Sequence, residues 1–186
     1  MVTASVDAAN RVTSVSGVKP GEAAKTYAAS FTYAPHGAVA SMQLGNNLWE
    51  HATFNSRLQP EQIGLGTSAA DASKLRLNYN YGTTTTNNNG NVASQTITVP
   101  GLAPLTQSYT YDALNRLEVA QEQGGASWRQ RFIYDRYGNR NFDVAQTTIP
   151  LPLVNPTINP ATNRLQGYGF DAVGNVTGEP TGSTFA

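Results

Sequence analysis

Four aspartates recur along the chain in similar surroundings and could form a row of carboxylates. They are Asp7, Asp112, Asp135 and Asp171. Two carboxylates that converge on a cleft perform the acid–base chemistry of glycosidases. Each of these aspartates, however, comes directly before a turn, where an Asp side chain accepts hydrogen bonds from the turn backbone. The sequence therefore favours a structural role for the four carboxylates.

Other signals of catalysis or cofactor binding are weak. Residues 64–69 read Gly-Leu-Gly-Thr-Ser-Ala and formally match a dinucleotide-binding pattern, but no strand–helix–strand unit surrounds them. His36 and His51 have no neighbours at metal-ligand spacing, and the chain has 0 cysteines, which excludes disulfides and thiolate metal sites. We therefore expect no cofactor, no metal ion and no catalysis in this chain.

A short recurring phrase is the most informative feature of the sequence. Its clearest copies span residues 111–117, 134–140 and 170–176, and fainter copies span residues 6–12, 33–39, 53–58, 88–92 and 160–165. In each clear copy an aromatic residue ends a strand, Asp begins a turn, and Gly or Asn supplies the positive φ that the turn needs. We predict turn residues at Asn10, Gly37, Ser56, Gly90, Asn115, Gly138, Asn163 and Gly174, all with positive φ except Ser56.

The side chains that flank each turn should tie neighbouring repeats together. Four arginines occupy the predicted turn exit: Arg11, Arg57, Arg116 and Arg164. We expect each guanidinium to stack on an aromatic ring of a neighbouring repeat or to pair with its own Asp, rather than to form a row of ligand-binding cations. The aromatic residues of the phrase should stack on one sheet face, because equivalent positions of adjacent hairpins fall in register.

The predicted architecture is all-β, a curved antiparallel sheet of successive β-hairpins. A single segment of repeats covers residues 1–186, with clear repeats at about 6–177 and a variable Pro-rich connection at 149–160 that reads as a loop or edge. A Thr/Asn-rich loop is predicted at 83–89, and a strand at 139–147. The one modest helical candidate is 68–74, where Ser68 and Asp71 have the spacing of a capping box.

The phrases resemble those of RHS proteins, also called YD-repeat proteins. The resemblance is strongest at residues 109–117, 54–60 and 75–82, and it extends over nearly the whole chain. Its repeat positions in this sequence are Tyr33, Gly37, Arg57, Gly90, Tyr111, Asp112, Asn115, Arg116, Tyr134, Asp135, Gly138, Asn163, Arg164, Phe170, Asp171 and Gly174. The family includes bacterial polymorphic toxins, shell components of insecticidal toxin complexes and animal teneurins.

This resemblance implies a long sheet that spirals into a hollow shell, which in the toxins encloses a C-terminal toxic polypeptide. The self-cleaving members use an Asp-Pro phrase, and no Asp-Pro pair occurs here, so autoproteolysis is not carried over. The sequence also starts and stops inside the repeat pattern, so we expect a fragment of a longer array. The family further implies a secreted or cell-surface protein, although no signal peptide is visible.

Three interpretations of function follow. A shell segment that encloses or presents a polypeptide needs only the repeats, and we rank it first. An extracellular module that binds carbohydrate or a partner protein would use exposed aromatics, for which Trp49 and Trp128 are candidates, although packing is the favoured role for both. An enzyme would need converging carboxylates.

The net charge of +0 argues against nucleic-acid or anionic-membrane partners, and no apolar run could span a membrane. An isolated segment with open strand edges should self-associate.

Overall fold

β-Strands make up almost all of the regular structure in the computed structural model. It describes residues 1–82, 87–124, 127–149 and 155–182. These residues contain sixteen strands and a single 3-10 turn, Val144–Gln146. The chain forms two compact units, Met1–Ser127 (unit 1) and Trp128–Ala186 (unit 2). The predicted all-β class, with less than one-tenth helix, is confirmed.

Unit 1 is a sheet in which each strand pairs with the next one in the sequence. Its strands are β1 Val2–Val6, β2 Val12–Gly17, β3 Lys25–Tyr33, β4 Val39–Leu44, β5 Trp49–Phe54, β6 Pro60–Gly66, β7 Leu75–Asn80, β8 Ser94–Thr98, β9 Leu105–Tyr111 and β10 Leu117–Gln123. Every pairing from β1–β2 to β9–β10 is antiparallel. The predicted array of successive hairpins is therefore confirmed.

Unit 2 is made of shorter strands. They are β11 Arg129–Tyr134, β12 Arg140–Phe142, β13 Ile158–Asn159, β14 Arg164–Leu165, β15 Gly169–Phe170 and β16 Val176–Gly178. They form three antiparallel pairs, β11 with β12, β13 with β14, and β15 with β16. Two-residue strands bury little surface, so side-chain bonds of the turns must carry much of the local structure.

Several pairings of unit 1 contain a β-bulge, which explains the predicted curvature. The register shifts between Ser5 and Val6, within β3, between Thr53 and Phe54, and between Leu117 and Val119. A bulge places two residues opposite one, which bends the strand and increases its right-handed twist. Bulges repeated along a sheet of hairpins are typical of a curved sheet, as the sequence predicts.

The two faces of the sheet in unit 1 differ in chemistry. Directly paired residues lie on the same face, and one such row is apolar: Ala52, Ile63, Leu77, Ile97 and Leu105. The opposite face carries a polar row: Thr53, Gln62, Asn78, Thr96 and Thr106. We call them the apolar face and the polar face. Among the described residues, Ala120 and Phe132 are the buried hydrophobic ones, so neither face packs into a deep core.

The predicted helix at residues 68–74 is wrong. Asp71 does not act within a capping box; its carboxylate accepts hydrogen bonds from the backbone N–H and hydroxyl of Thr67, at 2.7 and 2.9 Å, and from those of Ser73, both at 2.8 Å. These four bonds close a compact loop between β6 and β7 and lower the pKa of Asp71, chiefly through the backbone N–H of Thr67. A side chain that satisfies backbone groups locally competes with helix formation.

The strand predicted at residues 139–147 ends earlier, at Phe142. The 3-10 turn Val144–Gln146 interrupts it, although the backbone N–H groups of Asp143 and Thr148 still donate to carbonyls of β11. Thr147 is buried rather than exposed, and its hydroxyl accepts a hydrogen bond from the N–H of Arg131 at 3.1 Å. Of the predicted loop at 83–89 and the Pro-rich connection at 149–160, residues 83–86 and 150–154 lie outside the described residues.

Candidate interaction surface

Within the described residues, seven five-residue turns share one backbone pattern, which we call the turn cassette. The N–H of the first residue donates to the carbonyl of the fifth, and the N–H of the fourth donates to the carbonyl of the first, at 2.7–3.2 Å. The fourth residue has positive φ, from +59° to +96°. The cassettes begin at Asp7, Ala34, Leu44, Asn55, Asp112, Asp135 and Asp171. The recurring phrase is therefore a turn, as predicted, and its glycines and asparagines supply the left-handed backbone.

An aspartate at the first position adds side-chain bonds to the cassette. In Asp112 one carboxylate oxygen accepts from the N–H groups of Leu114 and Arg116, both at 2.9 Å, and the other accepts from Arg116 Nε at 2.7 Å. Asp7, Asp135 and Asp171 repeat this arrangement. The hydrogen bonds that the sequence predicts from the turn backbone to the four carboxylates are therefore confirmed.

The residue at the fifth position decides how the carboxylate is held. Arg11 and Arg116 form ion pairs with Asp7 and Asp112, at 2.8 and 2.7 Å. In unit 2 the same position is asparagine, which donates an amide hydrogen bond to Asp135 or Asp171 at 2.8 Å. The pKa of all four aspartates lies below its ordinary value. Hydrogen bonds from Arg11 and Arg116 are the main cause in unit 1, and those from Asn139 and Asn175 in unit 2.

The turn position predicted at Ser56 is shifted, whereas Gly90 and Asn163 have the predicted positive φ but lie outside the cassettes. The positive φ near residue 56 belongs to Leu58, at +64°, because the cassette starts at Asn55 rather than one residue earlier. Gly90 has φ +99° but lies in the loop before β8 without the cassette bonds. Asn163, at φ +54°, belongs to a different turn in which its N–H donates to the carbonyl of Asn159 at 2.8 Å.

The predicted arginine contacts are confirmed at three of the four positions. The Arg11 guanidinium lies 4.9 Å from the centre of the Tyr33 ring, and that of Arg164 lies 4.9 Å from the centre of Phe170. Arg116 pairs with Asp112. The assignment of Arg57 is wrong, because the shifted cassette places it in the middle of the turn, where it donates to the carbonyl of Asn88.

Tyrosine hydroxyls provide a second recurrent tie that the sequence pattern did not predict. Tyr33, Tyr81 and Tyr111 stand at the end of a strand, and each hydroxyl donates to a backbone carbonyl at the start of the preceding strand. The acceptors are Val12 at 2.6 Å, Pro60 at 3.0 Å and Val92 at 2.9 Å. The near-constant sequence separation, 21, 21 and 19 residues, is the signal that could have revealed this tie.

Stacking among the repeat aromatics Tyr33, Tyr111, Tyr134 and Phe170 stays a prediction. Two of the observed ring pairs join neighbours on one strand or in one hairpin. Phe31 stacks on Tyr33 with ring centres 6.5 Å apart, and Phe132 meets Phe142 at 5.4 Å. The rings of this chain are therefore held by hydroxyls and guanidinium groups as much as by other rings.

A cleft of about 240 Å³ opens on the apolar face at the end of β7 and β9. It is lined by Tyr79, Val92, Gln95, Tyr109, Tyr111 and Leu117, and we call it the tyrosine cleft. A directly paired polar row begins at the cleft with Tyr79 and Gln95 and continues beside it with Gln107 and Glu122.

Hydrogen bonds run along this row. The Gln95 amide donates to the Tyr79 hydroxyl at 3.3 Å, the Tyr109 hydroxyl donates to Gln107 at 2.8 Å, and the Gln107 amide donates to Glu122 at 2.9 Å. Burial, the neighbouring Tyr111 and Tyr79 and the Glu122 carboxylate raise the pKa of Tyr109. The site of Tyr109 is therefore rich in negative charge and favours its neutral phenol.

The Gly-x-Gly-x-x-Ala pattern has a packing explanation. A side chain at Gly64 would clash with the His51 ring, 2.3 Å from its nearest carbon, and one at Gly66 would meet the Asp71 carbonyl oxygen at 2.1 Å. The two glycines let the Asp71 loop lie against the polar face, over the buried His51. His36 is exposed and meets Phe54 edge-on at 4.6 Å.

The described residues contain no group of three His, Cys, Asp or Glu side chains that could hold a metal ion. In the same residues, no helix has the length and hydrophobicity needed to cross a bilayer. The two tryptophans, Trp49 in β5 and Trp128 before β11, are half-buried.

Solved structures of Tc toxins have folds similar to that of this chain. No protein family model and no curated protein matches the sequence. The crystal structure of TcdB2-TccC3-TEV superposes on 88% of this chain with a TM-score of 0.66 at 18% identity. That of TcdB2-TccC3-Cdc42 covers 95% with a TM-score of 0.69 at 16% identity. The Tc holotoxin pore of Photorhabdus luminescens, with the TccC3-D651A mutation, covers 95% with a TM-score of 0.65.

The chain spans 9–11% of the length of these proteins. Identities this low establish the fold alone, and that fold is the one the RHS resemblance implies. The chain therefore has the fold of one segment of a Tc toxin component, built from successive RHS-type hairpins.

Proposed function

We propose that this chain is a structural segment of an RHS/YD-repeat shell that encloses or presents a polypeptide, and that the segment itself catalyses no reaction. The observation that carries the proposal is the recurrence of one turn cassette in the sequential hairpins of each unit. Repeats of this kind stabilise a wall by stacking each unit on its neighbours. The likeness of the fold to Tc toxin components supports this function.

The arrangement of the charged side chains supports a structural role in the wall of a shell. The aspartate carboxylates form hydrogen bonds and ion pairs within their own turns rather than facing a substrate. The wall's partners would be the neighbouring repeats of a longer protein and the enclosed polypeptide. Such a protein would act outside the cell that makes it, at the cell surface or after secretion.

Protease protection tests the shell function. The full-length protein that contains this segment would be digested beside the candidate enclosed polypeptide expressed alone. We expect the polypeptide to survive at least about tenfold longer inside the full-length protein, because a closed wall excludes the protease. Equal digestion rates would contradict the proposal.

An interaction module that binds carbohydrate or a partner protein is the second candidate. The tyrosine cleft favours it, because aromatic rings beside amide groups are suited to ligand contact. A glycan array probed with the 186-residue chain separates the two candidates, since a wall segment should give no glycan signal.

We also propose that the isolated chain self-associates through β1. All five residues of β1 are exposed, and one edge of the strand pairs with β2. An open, uncharged strand edge is a template for another strand. Light scattering over a concentration series should show a rising mass. A variant with Thr3→Lys and Ser5→Pro should stay smaller, and a monomer at every concentration would contradict the idea.

A further inference from the structure

The tyrosine cleft lacks a cation that the equivalent place elsewhere in unit 1 contains. In the β2–β3 hairpin the Tyr33 hydroxyl bonds to Val12, and the residue before Val12 is Arg11, whose guanidinium covers the Tyr33 ring at 4.9 Å. In the β8–β9 hairpin the Tyr111 hydroxyl bonds to Val92 in the same way. The residue before Val92 is Asn91, which is too short and carries no charge.

The neighbouring side chains leave this place open. The Asn91 amide donates to Asn115 at 3.1 Å, and in the part of the chain that the structure describes no guanidinium lies over Tyr79, Tyr109 or Tyr111. The third hairpin with this tie has Gln59 before Pro60, but Gln59 is bonded to Asn55 and Asn88. Of the three hairpins with this tyrosine tie, β8–β9 is therefore the one that combines an open cleft with three tyrosine rings.

The charged residues on the apolar face also favour the binding of a cation. Glu50, Glu61 and Glu122 lie on the apolar face of β5–β10, as the pairing of the strands shows. Of arginine and lysine, the strands β5–β10 carry one residue, Arg76, and its pairing with Gly64 places it on the polar face together with His51. A positively charged group that approaches the cleft thus meets carboxylates and phenol rings, with no strand-borne positive charge to repel it.

We propose that the tyrosine cleft binds an arginine or lysine side chain of an extended polypeptide that lies along the apolar face. The cation takes the place over Tyr111 that Arg11 occupies over Tyr33, and Glu122 and the hydroxyls of Tyr79 and Tyr109 supply negative charge and hydrogen-bond acceptors. The aliphatic stem of the side chain packs against Val92 and Leu117. The proposal rests on the proposed shell function for the source of the polypeptide and names the chemistry of that polypeptide.

Peptide titration of the 186-residue chain tests the proposal directly. The probes are two short extended peptides, one with arginines and one with citrulline at the same positions, which has the same shape but no charge. We expect the arginine peptide to bind, to shift the aromatic NMR signals of Tyr79, Tyr109 and Tyr111, and to weaken with salt. The citrulline peptide should bind roughly five- to tenfold more weakly, the effect of losing a cation–π contact and its charge.

Two arginine variants provide the matched control. Asn91→Arg supplies the missing cation from within the chain and should block the arginine peptide at the cleft. Thr110→Arg adds the same charge one residue from Tyr111 but on the polar face, and should leave binding unchanged. Glu122→Gln should weaken binding while retaining the shape of the side chain.

Equal affinity for the citrulline peptide, unchanged binding in Asn91→Arg, or tyrosine shifts produced by neutral oligosaccharides rather than by arginine would each overturn the proposal. Because the probes are synthetic and soluble, such a failure would leave the protease protection of the full-length shell untouched. The two proposals therefore fail separately.

Discussion

The two units of the molecule close the same turn with different chemistry. In unit 1 the carboxylates of Asp7 and Asp112 meet an arginine, and in unit 2 those of Asp135 and Asp171 meet an asparagine. The backbone bonds of the cassette are alike in both units. The turn geometry is thus fixed by the aspartate and the positive-φ residue, and the fifth residue is free to serve another purpose.

That purpose is visible at Arg11, which bonds to Asp7 and also covers the ring of Tyr33 on another strand. Asparagine is too short to cover a ring in this way. Asn139 instead donates to Asp135 within its own turn and to Asn163 beyond it, at 2.8 and 2.6 Å, and Asn175 donates to Asp171 within its own turn. The strands of unit 1 are also longer, five to nine residues against two to six in unit 2. Both units therefore have ties between hairpins, such as Arg11 over Tyr33 in unit 1 and Arg164 over Phe170 in unit 2, but the shorter strands of unit 2 make it depend more on its turns.

The largest expected effect comes from removing a tie between strands in unit 1. Tyr111→Ala deletes a half-buried ring and its hydrogen bond to Val92, and should lower the free energy of unfolding by about 3 kcal/mol. Tyr111→Phe removes only the hydroxyl and should cost about 1 kcal/mol. Chemical denaturation measures both, and a cost below about 1 kcal/mol for the alanine variant would show that the tie contributes little.

A strained turn in unit 2 should give the next largest effect. Gly138 has φ +86°, and Gly138→Val should cost about 2 kcal/mol because a β-branched residue rarely adopts this backbone conformation. Gly138→Asn should cost well under about 1 kcal/mol, since Asn115 occupies the same position in unit 1 at φ +59°. Similar losses for the two variants would mean that the backbone conformation is not the cause.

Exchanging the fifth residue between the units should alter the response to salt. Arg116→Asn replaces an ion pair by an amide hydrogen bond, so the variant should lose stability in low salt and approach the parent at about 1 M salt, where charges are screened. Asn139→Arg should show the opposite trend. Melting temperatures over a salt series measure this, and parallel curves for all three proteins would show that the ion pair is energetically silent.

The smallest effect should appear in the acid range. The pKa of each cassette aspartate is lower in the folded chain than its unfolded value of about 3.9. The stabilisation is therefore complete above that value and is lost as the pH falls through the folded pKa. Denaturation midpoints between about pH 2 and 6 should fall toward acid, and Asp112→Asn should reduce this slope. A slope equal to the parent's would exclude Asp112 as a contributor.

The sequence predicted the hairpin array and most turns because they depend on local residues. An Asp followed four positions later by Arg or Asn, with Gly or Asn between, contains every group that the cassette bonds require. The prediction failed at Ser56 because this cassette begins with Asn55 instead of an aspartate. Its positive-φ position is occupied by Leu58 instead of a glycine or asparagine. The prediction failed again at residues 68–74, where Asp71 favoured loop bonds over a helix.

The surface chemistry depended on partners far apart in the sequence. The tie from Tyr111 to Val92 and the row from Tyr79 to Glu122 need the strand register, which one-residue bulges can change. The sequence therefore did not predict the tyrosine cleft as a site, although it contains Tyr79, Tyr109 and Tyr111 in segments that were predicted to be strands.

The strictly sequential pairing of unit 1 has a mechanical consequence. Each strand from β2 to β9 is bonded to the strand before it and the strand after it, and no strand is inserted between distant ones. A chain pulled from its end can then peel away one strand at a time, breaking a few backbone bonds at each step instead of shearing a whole sheet at once. The same order lets hairpins close one after another as the polypeptide leaves the ribosome.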